Sequence, residues 1–361
     1  MSMDLDSLTY ATQRTVLSDS NHHDNTPPAK RAAQHGLDIA DVWQFVLNSP
    51  YLQRFTPIKF DHTGTIYGIG QGACYRVDKH KLHQDSGRIV AVKYLKLTEQ
   101  SSTEVSSGES NRSIATVLRE LRILTHQPIR SNANIVRLLG YGSRAIGKHL
   151  SLYLVVEFAE HGTLGDYLKK IGTVSIGEKV KFCHDIANGL AGLHSCGVAQ
   201  GDLKLENTLL FTTDKGELLV KLSDFGHSIL DDESRYIGTA IFNPPEVRHG
   251  SLASTKRVEY YKCDIFSYGL MVWEIIQDGR RYVDFKQYKD PKTWLNGLPK
   301  DDLLRMSLQA TQELAPDHPS KIILFQKVLE SSLRDNPEDR YTVYEILKLF
   351  NLERPFILDK G

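Results

Sequence analysis

Apolar positions along this chain recur with period two in some stretches and with helical spacing in others. Gly64 to Val77 reads as strand, glycine turn and strand, and Ile89-Val90-Ala91-Val92-Lys93 as a further strand. Two more strands follow, Asn134-Ile135-Val136-Arg137-Leu138-Leu139-Gly140 and Leu150 to Val156. Farther on, Thr208-Leu209-Leu210-Phe211 and Leu218 to Leu222 form a hairpin closed by the turn Thr213-Asp214-Lys215-Gly216. Helical spacing governs Ser113 to His126, with Ile114, Val117, Leu121 and Leu124 on one face. It also governs Ile176 to His194, which turns Cys183, Ile186, Leu190 and Leu193 inward, and a short helix from Thr163, its cap, to Lys170. Asp264 to Ile276 is apolar almost all round and predicts a buried helix. Helical segments are also expected between Lys286 and Leu314 and from Leu324 to Leu333. Near the start, Leu37 to Phe55 places Ile39, Val42, Phe45, Val46 and Leu52 at near-helical spacing, with Asp38 and Asp41 at its beginning and Pro50 breaking it. Residues 1–36 are too polar to repay ordering and predict a disordered tail. Glu99 to Arg112, rich in Ser, Thr and Glu, predicts a solvated insertion.

Composition narrows the class without naming a function. Hydrophobic residues at 40% and charged residues at 24% suit a soluble globular protein. Lys+Arg and Asp+Glu both number 44, so no net charge draws the chain to nucleic acid or an anionic membrane. Cys74, Cys183, Cys196 and Cys263 match neither a zinc site nor a disulfide framework, which predicts reduced thiols and an intracellular, cytoplasmic protein. The acidic start Met1-Ser2-Met3-Asp4-Leu5-Asp6 has no apolar core for a secretory signal. Ile265 to Ile276 is too short to span a bilayer.

The candidate chemistry lies at the two ends of the second hairpin. Before it stands Gln200-Gly201-Asp202-Leu203-Lys204-Leu205-Glu206-Asn207, and after it Leu222-Ser223-Asp224-Phe225-Gly226. Two carboxylates, an ammonium and an amide can thus converge; carboxylate and amide oxygens suit Mg²⁺ and a lysine suits phosphate. Alone, the Asp-Lys-Asn string is equally a solvated turn. Other features give it context. Gly68-Ile69-Gly70-Gln71-Gly72-Ala73-Cys74-Tyr75-Arg76-Val77 is a glycine-rich hairpin, and Lys93 ends the next strand. Glu120 flanks the apolar face of the Ser113 helix, three residues after Val117 and four before Leu124. Farther on come Gly238-Thr239-Ala240-Ile241-Phe242-Asn243-Pro244-Pro245-Glu246 and Arg340.

In this order, from about Phe60 to Phe350, the chain resembles the eukaryotic protein kinase family. Gly70 and Gly72 match its glycine-rich loop, Asp202, Lys204 and Asn207 its catalytic loop, and Asp224-Phe225-Gly226 its metal loop. Five positions depart from the pattern, two of them Phe242 and Pro244, which stand where the family has Tyr and Ala. Gln200 and Gly201 stand where the family has His-Arg, and Tyr75 stands where it has a third glycine. The resemblance implies an α+β, bilobal fold: a five-stranded antiparallel N-lobe with the helix called αC, and a mainly helical C-lobe. The expected organisation is a tail over 1–36, a helical N-terminal extension over 37–59, an N-lobe over 60–157, a C-lobe over 158–350 and a tail over 351–361.

The resemblance also implies ATP and Mg²⁺ as cofactors, with Mn²⁺ as an alternative ion, and a protein substrate. ATP would meet Ile69, Gly70, Gly72, Val77, Ala91, Lys93, the gatekeeper Val156, the hinge residues Glu157 and Ala159, and Leu209. Lys93 would hold the α- and β-phosphates, oriented by Glu120; Asn207 and Asp224 would bind the metal; Asp202 would accept the hydroxyl proton and Lys204 would neutralise the transferring group. Lys204 and Thr239 resemble the Ser/Thr branch, and the hinge with Gly162-Thr163-Leu164 resembles the tyrosine-kinase-like Ser/Thr kinases. A pseudokinase scaffold and a small-molecule phosphotransferase remain as alternatives. A regulatory partner would act through the N-terminal extension. Gly201 lacks the guanidinium that gathers an activation-segment phosphate, and Ser234 and Tyr236 lie beside Asp231, Asp232 and Glu233. Activity is therefore expected not to require phosphorylation there.

Overall fold

The computed structural model describes residues 67–71, 75–81, 88–95, 107–146, 149–230, 235–250, 257–284, 287, 290–314 and 316–351, together with Gln44 and Asn48. Five strands form one antiparallel sheet: β1 (Tyr67–Gln71), β2 (Tyr75–Lys81), β3 (Ile89–Leu95), β4 (Leu138–Ile146) and β5 (His149–Glu157), in the order β1-β2-β3-β5-β4. Residues paired across strands share a face. Val77 pairs with Lys93, Lys93 with Leu154, and Ala91 with Val156, which sets these five on one side. Val90, Val92, Tyr94, Tyr153 and Val155 occupy the other and are at most 2% exposed.

Several elements differ from expectation: the helices Arg257–Ile276 and Pro319–Ser332 begin seven and five residues earlier than expected, and the helix Val343–Asn351 is not among those expected. The run from Asn134 does not enter β4 until Leu138. Asn134 is held instead by β7 (Leu218–Leu222): its Nδ2 donates to Val220 O at 2.9 Å, and Leu222 N–H donates to Asn134 O at 2.8 Å. Helix α1 (Ser107–Thr125) starts inside the stretch expected as a solvated insertion. Its polar first turns carry no apolar stripe, so periodicity reads only the later turns, where Val117, Leu121 and Leu124 are buried.

After the one-turn α2 (Gln127–Arg130) come α3 (Leu164–Ile171), capped by Thr163, which accepts the Asp166 N–H at 3.1 Å, and α4 (Ile176–Ser195). Ser175 and Glu178 close a reciprocal capping box at the start of α4. Cys183, Ile186, Leu190 and Leu193 of α4 are all 0% exposed, on the face the spacing predicts. Strand β6 (Thr208–Thr212) pairs antiparallel with β7. The turn between them closes through Gly216 N–H to Thr213 O at 2.8 Å.

The remaining helices are α5 (Pro245–Arg248), α6 (Arg257–Ile276), α7 (Pro291–Asn296), α8 (Asp302–Ala310), α9 (Pro319–Ser332) and α10 (Val343–Asn351). Helix α6 is buried on all sides: Phe266, Leu270, Met271, Val272 and Ile275 are 0% exposed. Burial of such side chains contributes about 1.5–3 kcal/mol each. Its first turns, before Asp264, bury Tyr260 and Cys263 against Ala199, Ile229 and Tyr236.

The chain divides into two compact units. One holds the described residues up to Ser131 together with Val136–Phe158, so it contains the five-stranded sheet and α1. The other holds Asn132–Ile135 and the residues from Ala159 onward, and it is mainly helical. Apart from Asn351, the last residue of α10, the expected tails lie outside the described residues, as does most of the expected N-terminal extension. Of the extension, Gln44 and Asn48 are described, as helical and exposed. No helix among the described residues is long and apolar enough to cross a membrane.

Candidate active site

In the first unit, the apolar stripe of α1 buries Val117, Leu121 and Leu124 and leaves Glu120 on its flank. Lys93 Nζ donates to Glu120 Oε1 at 2.5 Å, and Glu120 is 1% exposed. A carboxylate that deep is tolerated because it is paired. Val77, Ala91 and Val156 share the Lys93 face of the sheet. Glu157 pairs with Val90, on the opposite face, and its Oε1 accepts the Arg137 N–H at 2.8 Å. Its main-chain N–H donates to Arg137 O at 3.2 Å. Ile69 and Gly70 lie in β1, where the register shifts between Gly68 and Gly70. Gly72 lies outside the described residues.

In the second unit, Asp264 organises the loop before β6. It is 0% exposed, and its carboxylate accepts the Gln200 N–H at 2.7 Å and the Gly201 N–H at 3.0 Å. His194 Nε2 lies 2.9 Å from the same carboxylate and stacks on Tyr261. Gln200, also 0% exposed, uses both ends of its amide. Its Oε1 accepts the Asp202 N–H at 2.6 Å, and its Nε2 donates to Asp224 O at 3.3 Å. Gly201 adopts φ +78°, and a β-carbon there would overlap the main-chain oxygen of His227.

These contacts aim Asp202 at a small set of donors. Oδ2 accepts from Lys204 Nζ at 2.7 Å and from Asn207 Nδ2 at 2.9 Å, and Oδ1 accepts from the Thr239 hydroxyl at 2.6 Å. Lys204 Nζ also donates to Thr239 Oγ1 at 2.8 Å. Burial by itself would raise the Asp202 carboxyl. The charge and hydrogen bond of Lys204, with the Thr239 bond and His227, outweigh it and hold the group below its ordinary value. The carboxylate is therefore ionised at neutral pH. Asn207 spends Nδ2 on Asp202, and its carbonyl accepts from both the N–H and the hydroxyl of Ser223 at 2.9 Å. That joins it to the Asp224 loop. Asp224 stands at φ +57°, a strained setting for a non-glycine residue and one common at functional sites. Ala159 is buried, and half-buried Leu209 bridges to Thr163.

Three contacts were not legible in the sequence. The double bridge of Gln200 is one, since only its departure from a pattern stood out. The burial of Tyr236 is another. The third is the triad in which Arg281 pairs with both Glu206 and the buried Glu274. Glu246 and Arg340, both named in the sequence as part of the motif context, form a bidentate pair at 2.6 and 2.8 Å.

Comparison with known proteins places this arrangement. The chain is 27% identical over 282 residues to a probable serine/threonine-protein kinase roco7 of Dictyostelium discoideum, covering 76% of this chain and 10% of that protein. It is 28% identical over 291 residues to the serine/threonine-protein kinase pakA of Talaromyces marneffei, covering 78% and 38%. It is also 27% identical to the serine/threonine-protein kinase ste20 of Aspergillus oryzae, covering 78% and 28%. The chain thus spans well under half the length of these curated relatives. The protein kinase domain family matches residues 65–350, a stretch that contains Lys93, Glu120, Asp202, Asn207 and Asp224. On that match, over most of its length, the chain belongs to the protein kinase domain family.

Proposed function

We propose that this chain transfers the γ-phosphoryl group of ATP to serine or threonine hydroxyls of proteins. The observation that carries the reading is the ionised Asp202, held by Lys204, Asn207 and Thr239. In this reading Asp202 orients the acceptor hydroxyl and takes its proton as the O–P bond forms and ADP leaves. Lys204 offsets charge on the transferring group, and Lys93, oriented by Glu120, holds the α- and β-phosphates. Catalysis is then mostly positioning and electrostatics.

The donor set fits a hard divalent cation. Among the described residues no cluster of three or more His, Cys, Asp or Glu stands ready for a metal. Asp224 and the remaining amide oxygen of Asn207 give one or two protein oxygens, the pattern of Mg²⁺ bound along with phosphates and water. Bound there, Mg²⁺ or Mn²⁺ would neutralise phosphate charge. An ATP-binding scaffold without catalysis gains no support from this site, because each of these positions carries a competent group. The free thiols of Cys183, Cys196 and Cys263 suit an intracellular, cytoplasmic setting.

The test is phosphoryl transfer to a generic protein substrate by wild type, Lys93→Met and Asp224→Ala, with a thermal melt on each preparation. Both variants are expected to lose transfer, by about 10²-fold or more, and to keep their fold. Wild type that folds and does not transfer would overturn the reading. Asp224→Ala keeping more than about a tenth of wild-type activity would remove the metal role of Asp224.

A further inference from the structure

Tyr236 sits in an acidic run that invites modification, yet it is 7% exposed. Its ring packs among Ala199, Ile229, Tyr260 and Cys263. Its hydroxyl donates to Asp264 Oδ1 at 3.2 Å and lies 3.5 Å from Ser267 Oγ. The same carboxylate holds the main chain of Gln200 and Gly201, the two residues before Asp202. One buried group thus ties the catalytic loop to Tyr236, and three residues later Thr239 bonds both Asp202 and Lys204.

The short path between them is fixed as well. Asn243 Nδ2 donates to Ile237 O at 2.8 Å. Ala199 and Ile229 exchange two main-chain bonds, at 2.8 and 3.1 Å, and Ser228 Oγ donates to Gln200 O at 3.0 Å. A phosphate on Tyr236 would set about two negative charges beside Asp264 in a buried site. Burial first, then the Asp264 charge, hold the Tyr236 hydroxyl well above its ordinary value, so it stays a neutral donor.

We propose that Tyr236 is a positioning residue: its unmodified hydroxyl, bonded to Asp264, holds residues 235–243 on the catalytic loop so that Thr239 meets Asp202 and Lys204. It takes the place that a phosphate and an arginine would otherwise fill. The proposal rests on the phosphoryl-transfer reading for its kinetic consequence but not for its structural one.

The test therefore has one arm of each kind. Tyr236→Phe keeps the ring and removes the bond. Turnover is expected to fall by about tenfold or more with the KM for ATP unchanged, because the loss is one of alignment. Trypsin should cut after exposed Arg235 about tenfold faster than in wild type at a temperature well below either melt. Phosphatase-treated wild type should keep its rate. Unchanged cleavage in Tyr236→Phe, wild-type turnover in that variant, phosphate found on Tyr236 in active protein, or loss of rate after phosphatase would each overturn the proposal. If wild type transfers no phosphate at all, the functional reading fails, and the trypsin arm still decides whether Tyr236 anchors the segment.

Discussion

A glutamine offers a donor and an acceptor on one rigid amide, and Gln200 spends each on a different loop. The sequence marked position 200 as a departure but did not reveal this role, because both partners are main-chain groups. Asp202 was more legible: its spacing to Lys204 and Asn207 is local, and the structure joins all three. Thr239 bonds Asp202 from 37 positions away and entered the sequence reading only through family resemblance. At this scale Asp202→Asn is the informative variant. An amide NH₂ there would face Lys204, Asn207 or Thr239, donor against donor. Turnover is expected to fall by about 10²–10⁴-fold. Stabilisation of the melt by nucleotide should persist, since Asp202 is assigned to the acceptor hydroxyl. A variant that loses this stabilisation would make Asp202 a nucleotide-binding or structural residue.

Long elements with an apolar stripe were legible, and those without one were not. Helix α4 lies where its periodicity puts it, sealed at its start by Ser175 and Glu178. The polar first turns of α1 escaped for that reason; α10 escaped although Val343, Ile346 and Phe350 recur at helical spacing and are buried, because the helix is short. What ties the later elements together is one side chain. Arg340 donates to both Glu246 oxygens and to the carbonyls of Arg334, Asp335 and Lys262, so it links α5, α6 and the stretch after α9. Arg340→Ala would remove a buried charge from its partner, and it is expected to cost about 3–5 kcal/mol of stability. A surface pair would be worth about 0–1 kcal/mol. Urea unfolding distinguishes the two, and a loss below about 1 kcal/mol would reduce the pair to the surface kind.

With its histidines neutral the whole chain carries no formal net charge at pH 7, and one buried carboxyl adds a pH response of its own. Glu274 in α6 is 0% exposed, and burial pushes its carboxyl from 4.5 up to about 7, although the Arg281 guanidinium pulls it down. The folded chain therefore keeps this proton where the unfolded chain has lost it. That stabilisation is complete below about pH 4.5 and is lost as pH rises through about 7. At about 1.36 kcal/mol for each pH unit between the two values, it amounts to about 3 kcal/mol. Urea midpoints of wild type should fall from about pH 5 to about pH 8, and Glu274→Gln should flatten that fall. Parallel slopes for the two proteins would show that Glu274 is ionised throughout. Gly201 reaches further than any of these groups, into what substitution can still do to the chain. Its left-handed backbone and the crowding by His227 O leave no room for a side chain while Ala199 and Ile229 stay paired. A single exchange to arginine would break that pairing before it could gather any phosphate. An arginine at this position would therefore need the stretch around His227 rebuilt first.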